Sequence, residues 1–263
     1  MKQLHLSAAA PLQRCGGIAL LGLLLACGAA AAQADPAQGP RLAIIIDDLG
    51  NNAALDQRAL QLPGPVTASI LPLCPHTAEE AKAARAKGLL IIAHLPMQSE
   101  DGGKLGPGGL TERMTKPEFS KQLAQDLDSI PGISGASNHM GSRLTCNRRA
   151  MQWLMQGMKT RPSLFFLDSR TTVNTVAADS AHRAGIPTLE RDVFFDHARN
   201  PADIEKQFDR LLLVAQQKGS AIGIGHPYPE TLAMLERRMP QLAKQGFRLV
   251  RLNELLPAAA KLP

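Results

Sequence analysis

The chain has 263 residues, enough for one large α/β domain, and 44% of them are hydrophobic, enough for a real core. Aromatics make up only 3%, with one Trp (Trp153) and one Tyr (Tyr228), so no stacking platform for single-stranded nucleic acid exists and no nucleic-acid partner is expected. The formal net charge of +6 is carried by scattered basic residues and pairs such as Arg148-Arg149 and Arg237-Arg238, which describes a solvated surface suited to an anionic envelope.

Residues 1–34 read as an export signal. Lys2 and Arg14 form its positive region, Gly16 to Ala32 its apolar stretch, and Ala32-Gln33-Ala34 its cleavage site. The apolar stretch is short for a membrane-spanning helix, which needs about 20 residues. A competing reading is carried by Leu24-Leu25-Ala26-Cys27, which approximates a lipobox and would attach lipid to Cys27. Either way the mature chain is expected in the periplasm or otherwise exported, with no transmembrane span. Residues 35–40 (Asp-Pro-Ala-Gln-Gly-Pro) read as a linker, and 41–257 as the folded domain. Of four cysteines, Cys15 and Cys27 fall in the leader. Cys74 and Cys146 remain, and the sequence leaves open whether they pair.

Beyond the linker, short apolar β-type runs alternate with helical patterns. The runs are Leu42–Ile46, Val66–Leu71, Leu89–Ala93, Ile133–Ser137, Leu164–Leu167, Thr188–Glu190, Ala221–Ile224 and Arg248–Leu252. Helical patterns include Ala78–Lys87, Pro117–Ser129, Arg148–Lys159, Val176–Arg183, Pro201–Lys218 and Glu230–Gln245, and Gly88, Gly185, Gly219 and Gly246 stand where left-handed C-cap residues are wanted. Strands apolar on both faces and separated by helices imply a parallel sheet covered on both sides. About eight such units predict a distorted (β/α) barrel of seven to eight mostly parallel strands, with a doubly wound open sheet as the alternative.

The strand ends carry the chemistry. The first run is followed by Asp47-Asp48, an adjacent carboxylate pair that is costly to bury without a partner. As a competing reading, the pair could cap a helix beginning near Asn51. The third run ends in His94, the fourth in Asn138-His139-Met140-Gly141-Ser142, the fifth in Asp168-Ser169-Arg170-Thr171, the sixth in Arg191-Asp192 and the seventh in Gly225-His226-Pro227. In a β/α barrel these ends share one rim, where active sites occur. His76, His182 and His197 lie in helical or polar contexts and read as structural or surface residues. The segment Gln98 to Gly109 holds five glycines in twelve residues without any phosphate-binding pattern, and reads as a mobile flap or plain flexible surface.

One carboxylate and two imidazoles make a three-ligand set for a catalytic divalent metal, with a position left for water. A second carboxylate can take the water's proton and another histidine can protonate a leaving group. A Ser–His–Asp triad would leave Asp47-Asp48 without a task and lacks a Gly-x-Ser-x-Gly elbow. A two-carboxylate glycosidase would not need three rim histidines.

At these residues the chain resembles the divergent polysaccharide deacetylases, distant relatives of carbohydrate esterase family 4. The matching stretches are Ile44–Gly50, Ala93–Met97, Asn138–Ser142, Phe166–Thr171 and Ile222–Pro227, in order, within a resemblance running from Arg41 to about Leu256. It implies a distorted barrel of the glycoside hydrolase/deacetylase type and a divalent metal, zinc by preference. It implies Asp47 as general base, Asp48 and His94 as metal ligands and His226 as general acid. The family's second metal histidine falls on Gln98, so His139, at the next strand end, is expected to replace it. Asp168 is expected to orient the acid, and Arg170 to replace the Arg of a missing Arg-x-Pro-Tyr segment. The expected activity is removal of N-acetyl groups from an envelope carbohydrate polymer, peptidoglycan or another N-acetylated glycan. The rival is a non-catalytic periplasmic carbohydrate- or metal-binding module that has lost turnover.

Overall fold

The computed structural model describes residues 39–161 and 163–257; the export signal, Cys27 and linker residues 35–38 lie outside them. Nine strands form one sheet: β1 (Arg41–Leu49), β2 (Thr67–Ile70), β3 (Leu90–Met97), β4 (Gly135–Met140), β5 (Phe165–Asp168), β6 (Thr188–Glu190), β7 (Val193–Phe194), β8 (Ser220–Gly225) and β9 (Arg248–Leu249). Their order is β6-β5-β4-β3-β2-β1-β8-β7, with β9 also pairing β1, and every pairing is parallel. The sheet curls into a half-barrel, open between β6 and β7. The doubly wound alternative is therefore wrong, and the barrel expectation holds.

Among the described residues, seven helices pack outside: α1 (Ala53–Leu60), α2 (Thr77–Ala86), α3 (Lys116–Asp128), α4 (Arg148–Lys159), α5 (Ala177–Ala184), α6 (Pro201–Lys218) and α7 (Pro229–Arg238). The helical pattern Glu230–Gln245 breaks at Arg238, because Pro240 has no N–H to continue the ladder. Gly185 and Gly219 close α5 and α6 in the left-handed conformation, with φ of 71° and 79°. No described helix is long and apolar enough to cross a membrane.

Strand periodicity divides the core in two. Leu42, Ile44, Ile46, Ala68, Ile70, Ile91, Ala93, Ala136 and Phe166 point outward and pack beneath the helices. The alternate residues Ala43, Ile45, Leu90, Ile92, Phe165, Leu167, Ile222 and Ile224 point inward, and Leu252 and Leu256 of the C-terminal turn join them. This inner cluster contains no residue of α1–α7, so it is the barrel floor.

Candidate metal centre and catalytic site

The inward positions decide what reaches the rim. Two residues beyond Ile45 comes Asp47, two beyond Ile92 comes His94, and two beyond Ile224 comes His226. On β4 the inward series is Gly135, Ser137 and His139, with Ser137 the register partner of His94. Each site residue thus follows the apolar floor as the next side chain up its strand.

Asp48 breaks this rule and reaches the site by another route. Alternation would turn it outward, but the pairing with β2 shifts register between Ile46 and Leu49, and Asp48 has φ of 62°. That bulge re-aims its carboxylate onto the rim. Five described non-glycine residues have positive φ, and four of them lie at or just beyond strand ends on this rim: Asp48, Leu73, Met140 and Arg170. Strain gathered at one end of a barrel marks a site held together by its surroundings. Neither acid caps α1; Asn52 does, its Oδ1 accepting from the Leu55 N–H.

Asp48, His94 and His139 form a group that can hold a metal ion, with one donor atom from each within 4.8 Å of the others. Oδ1 of Asp48 lies 2.8 Å from Nδ1 of His139 and 3.2 Å from Nε2 of His94. Ligands at about 2.0–2.1 Å around a tetrahedral ion stand roughly 3.4 Å apart, so a small outward shift admits one. The oxygen is also buried without an aligned hydrogen-bond donor, which is the need a cation would meet. Burial alone would raise the Asp48 pKa, but the adjoining His139 and His94 rings outweigh it and hold the carboxyl well below the usual carboxylate range.

Gln98, where the resemblance places a second metal histidine, is engaged in other contacts. Its Oε1 accepts from the Glu112 N–H at 3.0 Å and its carbonyl from the Arg143 and Leu144 N–H groups, so Gln98 ties the segment after β3 to the turn before α4.

Asp47 is 2% exposed, with Oδ2 3.5 Å from Nε2 of His94 and Oδ1 buried without a partner. His226 stands across the site, its Nε2 3.6 Å from Oδ2 of Asp48. Its other ring nitrogen is 2.9 Å from Oδ1 of Asp196, whose Oδ2 accepts from the His226 N–H and the Thr231 hydroxyl. Burial would lower the His226 pKa, yet the Asp196 hydrogen bond and the charges of Asp48, Asp196 and Asp47 push it up to about 9.

Two expected partners are therefore corrected. Asp168 is buried but does not orient His226: its oxygens accept from the Arg170 N–H and the Thr175 hydroxyl. It belongs to the outward series with Phe166, which turns it away from the acid. Asp196, just beyond β7, takes that place, and its signal was an apolar run, Val193–Phe195, closed by an acid. Arg170 ion-pairs with Glu190 at the surface. The guanidinium in the field of Asp47 is Arg191, which donates to the Ser169 and Arg170 carbonyls and stacks on Phe194. Burial, helped by the nearby Arg170 charge, lowers its pKa against the pull of Asp47 and Asp168. Cys74 and Cys146 are both free thiols.

Known proteins share this arrangement's sequence and fold. Residues 44–256 match the family model described as divergent polysaccharide deacetylase. The protein YibQ of Escherichia coli (strain K12) is 35% identical over 233 residues, which cover 89% of this chain and 72% of YibQ. The crystal structure of ATU2773 from Agrobacterium tumefaciens C58 superposes with a TM-score of 0.79 at 24% identity, over 83% of this chain and 89% of that one. The structure of BA3943, a CE4 family pseudoenzyme from Bacillus anthracis, gives a TM-score of 0.50 at 14% identity, over 83% of this chain and 66% of that one. These structural likenesses concern the fold. On the family match and the shared sequence, the chain belongs to the divergent polysaccharide deacetylases.

Proposed function

We propose that the protein is a zinc-dependent amide hydrolase that removes N-acetyl groups from an envelope carbohydrate polymer after export. The observation that carries this reading is the meeting, on one rim, of the Asp48–His94–His139 group with a buried carboxylate that has one free oxygen on one side and the Asp196-bound His226 ring on the other. The donor set of one carboxylate and two imidazoles suits zinc. A divalent ion held there makes a water molecule acidic and polarises a carbonyl.

The chain's own groups supply the proton transfers. Asp47 has a free oxygen to accept the proton that water gives up as it attacks the acetamide carbonyl. Burial alone would lower the His226 pKa, but the Asp196 hydrogen bond raises it, and the ring donates a proton from Nε2 to the departing amine. Asp196 fixes the ring through Nδ1 and stabilises its charged form. Arg191 places positive charge near Asp47.

Acetate release from N-acetylglucosamine oligomers tests the reading. Asp47→Asn should lower the rate by about 10²–10⁴-fold while zinc content stays near that of the native chain. Unchanged release would remove Asp47 as the base. A second reading, a binding module without turnover, draws on the fold shared with a CE4 family pseudoenzyme. Saccharide binding with no acetate released under any divalent metal would decide for it.

A further inference from the structure

Two hydroxyls in the barrel floor have no part in the chemistry above. Ser69 is on β2 and Ser137 on β4, the two neighbours of the strand that carries His94, and both are fully buried. Ser137 Oγ lies 2.8 Å from Nδ1 of His94, and Ser69 Oγ lies 3.2 Å from Ser137 Oγ. The opposite ring nitrogen, Nε2, faces Asp48 at 3.2 Å and Asp47 at 3.5 Å. The result is one line of polar atoms, Ser69–Ser137–His94, running through the barrel interior and ending at the carboxylates.

We propose that Ser137, backed by Ser69, is a positioning residue for the metal centre, and that it works because a hydroxyl pair can reverse its direction. The assignment rests on the reading of Asp48, His94 and His139 as metal ligands. To bind an ion through Nε2, neutral His94 must carry its single ring proton on Nδ1, and Ser137 must then accept it and pass its own O–H to Ser69. With no ion bound, Nε2 faces the two carboxylates, and their proximity favours the tautomer that carries the ring proton on Nε2. Nδ1 then becomes an acceptor, so Ser137 donates to it and Ser69 donates to Ser137. A carbonyl could serve only the first state and an amide N–H only the second; a hydroxyl serves both by rotating about its C–O bond. Nδ1 is hydrogen-bonded to Ser137 in either tautomer, so His94 stays aimed at the centre whether or not an ion is bound.

Zinc dissociation constants, measured by competition with a chromophoric chelator, test this directly. Ser137→Ala should weaken zinc binding about 10–100-fold, as expected for loss of the hydrogen bond behind a ligating histidine. Ser69→Ala should weaken it less, and the double variant should match Ser137→Ala within about twofold, because Ser69 acts only through Ser137. Ser137→Thr, which keeps the hydroxyl, should restore the affinity. Zinc binding by Ser137→Ala within about threefold of the native chain, alongside its loss in Asp48→Asn, overturns the relay and leaves the metal centre standing. A native chain that binds no zinc, or binds it equally well as Asp48→Asn, overturns the centre and the relay together. Should the alanine variant not fold, the ¹⁵N ring signals of His94 in the zinc-loaded native protein decide: a protonated Nδ1 supports the assignment, and ligation through Nδ1 refutes it.

Discussion

Asp126 shows how one side chain can tie stability to pH. It lies on α3, fully buried, with Oδ1 accepting from Gln122 at 2.8 Å and Oδ2 without a partner. Gly108 of the glycine-rich segment lies over it; a Cβ there would come within 2.5 Å of the carboxylate oxygen, and φ is 79°. Burial pushes the Asp126 pKa up to about 7, opposed only by the Gln122 hydrogen bond. Between the ordinary carboxylate range and pH 7 the folded chain therefore binds the extra proton. Stability from this group falls as pH rises through that window and levels off above it. Asp126→Asn keeps the Gln122 contact and should flatten the melting temperature between pH 4 and 7. The slope removed has an upper bound on the order of 4 kcal/mol. Urea melts across that pH range check it, and an unaltered slope in the variant would refute the assignment. Sequence could not have flagged Asp126, since on a helix it reads as one more surface acid. Asp196 was hidden for a related reason: its partner, His226, is thirty positions away.

At the scale of elements, alternation along the strands is what places the site. Gly135 illustrates the fit, for it begins the inward series of β4 opposite Phe165 of β5. A Cβ on Gly135 would come within 2.7 Å of the Phe165 carbonyl oxygen and 2.9 Å of its ring. Neither atom can yield without moving β5 or the floor of the barrel. Gly135→Ala should therefore cost about 1–3 kcal/mol, read as a lower urea midpoint at constant m value. A midpoint equal to the native one would show that β5 gives way freely. The same alternation made most of the design legible in the sequence. All eight apolar runs became strands, and Asp47, His94, His139 and His226 were found because each ends such a run. The two-residue β7 went unread, hidden by Arg191-Asp192 before it. Asp168 and Arg170 were read by their place in the chain without regard to which face they occupy. Asp48 was read from its neighbour, whereas a bulge and a left-handed backbone are what bring it in.

Across the whole molecule, the proposed centre joins β1, β3 and β4 through Asp48, His94 and His139 in a barrel left open between β6 and β7. Nothing in an unfolded chain reproduces that convergence, so bound metal should stabilise the fold by mass action. At a hundredfold excess over the dissociation constant the gain is about 2.7 kcal/mol, or roughly 5–11 °C in melting temperature for a domain of this size. Scanning calorimetry with zinc and then with chelator would register it, and Asp48→Asn should abolish the shift. A rise that persists in Asp48→Asn would place the ion elsewhere.

The stacking of site residues on the barrel floor has a consequence for how such a protein diversifies. Its reactive groups are the top layer of columns anchored below them, whereas the segments after β2, β3 and β5 supply no member of the proposed metal group. Selection can therefore rewrite those segments, one loop at a time, while the columns keep the proposed reaction available to each new substrate.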